Sequence, residues 1–175
     1  MDNFCHRGLP QDRGQVSNRL SRPAKELDDS NITARAKLAS ELPVIAGNKG
    51  QLREVILNLV QNSIDAMAVT TNRPRVISLV TARSGSDSIA VLLEDTGPGI
   101  NPQKLASIFE PFVTTKAKGR GLGLALCKMI VDQHGGKLSA ASGADGGARF
   151  EITLPTRMAV PAVPVAPGDK VVGSR

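Results

Sequence analysis

Apolar and polar side chains alternate along five short stretches, which predicts extended strands over Ile32–Leu38, Val76–Ala82, Ser88–Glu94, Lys137–Ala141 and Ala148–Leu154. The short apolar run Pro43–Ala46 predicts one more. Two segments carry the longer period. From Asn48 onward, Leu52, Ile56, Leu59, Val60, Ser63, Ile64 and Met67 recur every three or four residues, so a helix capped by Asn48 is expected there. Residues Gly121–Gln133 predict a second long helix, stopped by Gly135-Gly136. The turn signals Ser84-Gly-Ser-Asp87 and Asp145-Gly-Gly147 join neighbouring strands into pairs. Strands, helix, strand pair, loops, helix and strand pair follow in that order. Such an order indicates an α+β fold with helices covering one face of a largely antiparallel sheet. Residues 1–30 mix Gly, Pro, Asn, Arg and Asp without periodicity and read as a flexible arm or the remnant of a preceding helical domain. Residues 158–175 read as an extended Pro/Ala/Val tail. The domain is expected over 31–157.

Composition narrows the chemistry. The 175 residues are 41% hydrophobic and 22% charged, enough apolar side chain for one core. The net charge is +6, yet there are four Phe, no Tyr and no Trp, so the aromatic platforms that hold single-stranded nucleic acid are missing. The basic excess sits in the central domain, where an anionic small ligand explains a local cluster as well as a nucleic acid backbone does. Two Cys and two His, widely separated, indicate neither a disulfide framework nor a zinc site. No apolar run approaches the roughly 18 residues of a spanning helix, and no apolar signal region opens the chain. A cytoplasmic setting is the expectation.

The first helix has an odd polar stripe. Glu54, Asn58, Asn62 and Asp65 are four, four and three residues apart and share one side. Asn and Asp are poor helix formers, so propensity did not select them. Carboxamide and carboxylate oxygens suit Mg²⁺, which takes few protein ligands and completes its shell with water and phosphate oxygens. Further on, Asp95-Thr-Gly97-Pro-Gly99-Ile100 ends an apolar strand with an acid followed by glycines. A buried Asp there can accept a bond from an exocyclic amine while glycines let backbone approach a flat ring. Then come Phe109-Glu-Pro-Phe112, Thr114-Thr115-Lys116-Ala-Lys118 and Gly119-Arg120-Gly121-Leu122-Gly123-Leu124, the last opening the second helix. A glycine-rich loop at a helix N-terminus is a phosphate site, because amides and dipole both favour anions. The P-loop pattern, Gly-x-Gly-x-x-Gly and the Ser/Thr/Tyr kinase elements are all absent.

Together these segments resemble the catalytic and ATP-binding domain of sensor histidine kinases, within the superfamily that includes gyrase, Hsp90 and MutL ATPases. Glu54–Met67 is similar to the N box, Asp95–Gly99 to the first glycine motif, Phe109–Phe112 to the F box and Gly119–Leu124 to the second glycine motif. The resemblance covers roughly residues 31–156. It implies a Bergerat-type two-layer α/β sandwich: a mixed, mainly antiparallel sheet, three helices on one face and a mobile lid over ATP. It also implies that Asn62 ligates Mg²⁺, that Asn58 lies at the phosphates, and that Asp95 binds the adenine amine. Gly97, Gly99 and Ile100 would shape the base pocket. Phe112, Thr114, Thr115, Lys116, Gly119, Arg120, Gly121, Leu122, Gly123 and Leu124 would form the lid and meet the nucleotide, with Lys116 assisting catalysis. Asp65, where some members carry Lys or Arg, is more like the nitrogen-regulation and oxygen-sensing kinases. ATP-hydrolysing members carry a Glu four residues before the metal-binding Asn; Asn58 cannot act as that base, which favours phosphoryl transfer to a positioned acceptor. Neither His6 nor His134 stands in a phosphoacceptor box, so the acceptor histidine is expected on a separate dimerisation domain, in cis or in trans, with a response regulator downstream. A nucleotide-binding regulatory module without phosphotransfer and a free-standing ATPase are the alternatives.

Overall fold

The computed structural model describes residues 31–114, 119–143 and 146–156. The expected arm at 1–30 and tail at 158–175 lie outside the described residues. Five strands form one sheet: β1 Ile32–Lys37, β2 Arg75–Arg83, β3 Ser88–Asp95, β4 Lys137–Ser142 and β5 Ala148–Pro155. Their spatial order is β1-β2-β3-β5-β4. β1 runs parallel to β2 because α1, Lys49–Met67, crosses between them, and all other pairs are antiparallel. The sheet is thus mixed and mainly antiparallel.

The two-residue period fixes the faces. Ile77, Ile89, Leu93, Phe150, Ile152, Leu154 and Leu138 are buried toward the helices, and the register places Leu79 opposite Leu93 and Leu93 opposite Phe150. On the other face Glu94, Arg149 and Glu151 stand side by side as solvent-exposed ion pairs at 3.6 and 3.9 Å, a geometry that adds little stability. α1 contributes Val55, Leu59, Ile64 and Met67 to the core, and α2, Gly123–Gln133, contributes Cys127, Ile130 and Val131. Val55, absent from the sequence-derived stripe, is buried because α2 packs beside the sheet and widens the apolar arc that α1 must cover.

The sequence predicts three helices by resemblance; among the described residues there are two, and a 3₁₀ turn at Pro102–Lys104 stands where a third would lie. Its backbone bonds run three residues apart: Lys104 to Asn101, Leu105 to Pro102, Ser107 to Lys104 and Glu110 to Ser107. Pro102 and Pro111 bracket only eight residues, and a residue preceding proline avoids the α region, so the tighter turn wins. Pro43–Ala46 is not a strand either. Leu42 and Ile45 tuck against the core while Val44 points outward, and the segment simply links β1 to α1.

The helix ends are treated differently. Asn48 caps α1, its side-chain oxygen accepting from Gly50 and Gln51 at 2.9 and 3.1 Å. At the C-terminal end of α2, His134 Nδ1 lies 2.7 Å from the Ile130 carbonyl, and its Nε2 accepts the Asn48 N–H at 2.9 Å. The Asn48 amide can only donate, so Nδ1 carries the proton and the ring is neutral. His134 is therefore a clamp joining the end of α2 to the start of α1, rather than a cation on the helix dipole. Replacing His134 by Ala leaves the Asn48 amide and the Ile130 carbonyl without this partner. A loss of about 1–2 kcal/mol is expected, read as a lower urea midpoint at unchanged m-value.

Candidate functional site

Cavities open at the start of α2 and, separately, at the end of β3. The polar one, about 320 Å³, is lined by Asn62, Thr114, Lys104 and the run from Gly119 to Leu124, with Ile108 and Val113 behind. It faces the start of α2. There Leu122 occupies the cap position and supplies no side-chain bond, so the first amides of α2 lack the satisfaction that Asn48 gives α1. Uncapped N–H groups with a dipole equivalent to about half a positive charge favour an anion, and Arg120 and Lys104, which line the same cavity, add positive charge. Gly121 makes the loop possible. Its φ is +67°, and a Cβ there would lie 2.5 Å from the Phe112 carbonyl carbon. The Phe112 amide donates to the Gly121 carbonyl at 3.0 Å, joining the two ends of the segment between them. Thr115, Lys116 and Lys118 belong to that segment but lie outside the described residues.

Asp95 forms the second part. It is 7% exposed at the end of β3, and Oδ1 accepts the Gly97 and Ala148 amides at 2.8 and 3.1 Å while Oδ2 accepts the Ser63 hydroxyl at 2.8 Å. The β4–β5 turn closes over this point. Gly147 is pressed onto the strand so closely that a Cβ would stand 1.6 Å from the Asp95 carbonyl oxygen. Gly99, at φ +81°, packs the same way on Gly146, and Arg73 donates to the Gly97 carbonyl. Asp95 lines a small cavity of about 170 Å³ with Val76, Thr96 and Gly147, separate from the glycine-loop cavity.

The expected residues therefore divide. Asn62, Thr114, Gly119, Arg120, Gly121, Leu122, Gly123 and Leu124 come together. Asp95, Gly97 and Gly99 form one loop beside α1, and Ile100 packs against the core. Asn58 is half-buried, not on an opposite solvated face; it lines an apolar groove of about 1010 Å³ with Glu54, Phe109, Leu126 and Met129. The nearby Cys127 thiol donates to the Val55 carbonyl at 3.8 Å. Asp65 is exposed and accepts from Gln61 at 3.0 Å. Phe112 is 77% exposed at φ +68° and does not line the polar cavity. Sequence reasoning missed Ser63, Lys104, Gly147 and the Ala148 amide. Ser63 left one signal, a hydroxyl in an otherwise apolar stripe; Asp145-Gly-Gly147 read only as a turn, and Lys104 left none.

Comparison with known proteins adds the following. Residues 47–158 match the family described as histidine kinase-, DNA gyrase B- and HSP90-like ATPase. The chain is 32% identical over 158 residues to the sensor protein FixL of Bradyrhizobium diazoefficiens, covering 87% of this chain and 31% of FixL. It thus spans about a third of that relative's length. The catalytic domain of the histidine kinase ThkA superposes with a TM-score of 0.68 at 27% identity, covering 81% of this chain and 91% of that domain. Full-length ShkA in complex with AMPPNP superposes with a TM-score of 0.66 at 26% identity, covering 86% of this chain and 32% of ShkA.

Two outcomes follow from the geometry. Gly147→Ala forces the turn off the end of β3 and should cost about 3 kcal/mol or more, since backbone rather than a movable side chain occupies the space; chemical denaturation measures it. Burial, with the charge of Glu54, pushes the Cys127 thiol up to about 11, outweighing the opposing effect of the nearby Asn58 side chain. At pH 8 only about one thiol in a thousand is then ionised. In a Cys5→Ser background, native protein should resist a thiol-specific reagent and react promptly once unfolded.

Proposed function

The chain belongs to the histidine kinase-, DNA gyrase B- and HSP90-like ATPase family, and from that premise we propose that residues 31–157 are the ATP-binding catalytic domain of a sensor histidine kinase. It binds Mg²⁺-ATP and donates the γ-phosphoryl group to a histidine on a separate dimerisation and phosphoacceptor domain, with a response regulator as the downstream acceptor. The setting proposed is cytoplasmic; no described helix is long and apolar enough to cross a membrane.

The observation that carries this reading is the uncapped start of α2, opening with Arg120 and Lys104 onto a cavity that also holds Asn62. The relative FixL is named a sensor protein, and ShkA was solved with an ATP analogue. In the proposed complex the Gly119–Leu124 amides hold phosphate oxygens and Asp95 accepts the adenine amine. Gly97 and Gly99 back the base, Ile100 supports their loop from the core side, and Asp65 stays at the rim. Thr114, Thr115, Lys116, Arg120 and Phe112 belong to the lid, with Lys116 proposed to neutralise charge on the transferred group.

The side-chain oxygen of Asn62 suits Mg²⁺ in its donor chemistry and its place at the phosphate cavity. Mg²⁺ takes few protein ligands and completes its shell from substrate and water. Once bound, the ion neutralises phosphate charge. The protein's own part is to orient the triphosphate so that the acceptor imidazole nitrogen forms the new P–N bond as the bridging oxygen departs with ADP. Asn58, four residues before Asn62, is a carboxamide and offers no carboxylate to activate water, which favours a positioned acceptor over hydrolysis.

Labelled ATP added with a kinase dimerisation domain should yield acid-labile histidine phosphate on that partner. Tight ATP binding without it would leave a nucleotide-binding regulatory module, and phosphate release without a partner would indicate a free-standing ATPase. Asn62→Ala should weaken Mg²⁺-dependent ATP binding by more than about tenfold in calorimetric titration, because contacts to charged groups are worth about 1.5–3 kcal/mol. Undiminished binding would remove Asn62 from the site.

A further inference from the structure

Ser63 is a polar residue in the wrong place for packing alone. It is 1% exposed on the core side of α1, between Leu59 and Met67, where every other fully buried side chain of the helix is apolar. Ala would fit the same space and is the better helix former. A buried hydroxyl without a partner is costly, and the partner of Ser63 is Asp95 Oδ2 at 2.8 Å.

A count of acceptor sites on that carboxylate gives the bond its meaning. A carboxylate offers about four lone-pair sites, two on each oxygen. Both sites of Oδ1 are taken by backbone, the Gly97 amide at 2.8 Å and the Ala148 amide at 3.1 Å. One site of Oδ2 is taken by Ser63. Among the described residues a single acceptor position remains, on the same oxygen that Ser63 holds. Because the hydroxyl hydrogen is committed to Oδ2, Ser63 Oγ has only lone pairs left to present. The three donors come from α1, the loop after β3 and the start of β5, so the carboxylate cannot rotate without breaking at least one of them.

We propose that Ser63 is the positioning residue of the base site: its hydroxyl fixes the plane of Asp95 so that the one open lone pair of Oδ2 receives the exocyclic amine of adenine. The inference rests on the ATP reading above and deepens it. It assigns the preference for a 6-amino purine jointly to Asp95 and to a hydroxyl one residue beyond Asn62. A 6-keto purine would meet acceptors on both side chains and lose a hydrogen bond instead of gaining one.

The test compares ATP with purine riboside 5′-triphosphate, which lacks the amine, titrated calorimetrically with Mg²⁺ into the full chain and its Ser63→Ala and Ser63→Cys variants. Far-UV circular dichroism confirms that each variant is folded. The original chain should prefer ATP by about tenfold or more. In Ser63→Ala the ATP affinity should fall by about tenfold while the analogue changes less than about twofold, so the preference collapses. Ser63→Cys, with a weak donor of similar shape, should lie between them. Equal losses for both nucleotides, or an unchanged ratio, would show that Ser63 only packs and would overturn the proposal. An original chain that binds both nucleotides equally would remove the amine contact itself. An original chain that binds neither would overturn the ATP reading and this inference with it.

Discussion

The fold around the end of β3 depends on satisfying one buried carboxylate, Asp95. Burying an ionised group costs several kcal/mol unless fixed dipoles replace its water. At Asp95 two amides and a hydroxyl do that work. Each donor belongs to a different element. α1 must therefore present Ser63 at one height, β3 must end at Asp95, and the β4–β5 turn must bring Ala148 back to it. The glycines follow from the same demand. Gly97 exists because a Cβ would stand 2.9 Å from Oδ1, and Gly147 because the turn has to touch the strand.

The two helices divide the remaining labour. α1 is closed at its start by its own Asn48 and tied there to His134, so its polar side chains are held at fixed positions along a rigid rod. α2 is anchored at its far end by the same histidine and left uncapped at its near end. A rigid ruler beside an unsatisfied terminus is what anion binding requires. The core reinforces this, since Cys127, Val55 and Leu59 are fully buried where the helices and sheet meet.

Much of this was legible from residue order. The period-two stretches gave all five strands to within two residues, and Asn48 announced the start of α1, because these signals are local. The motifs at Asn62 and 119–124 are local signals too, and the residues there line one cavity. What failed to show was non-local. Ser63 looked like a core position because its partner is 32 residues away. The Gly147 contact needs two strands already paired, and parallel pairing of β1 needs the crossover through α1. The expected third helix failed for a local reason, two prolines too close together for α-helical bonds to outcompete the tighter turn.

The bond between the Phe112 amide and the Gly121 carbonyl has a consequence for chain length. It cinches the chain on both sides of eight residues, so the scaffold perceives that segment as a loop already closed at its neck. Closure entropy grows only logarithmically with length, about 0.6 kcal/mol per doubling. Insertions or deletions there carry only a small closure cost. A change in the length of this segment therefore costs the fold little, while Thr114 and Arg120 at its two ends keep their place at the cavity.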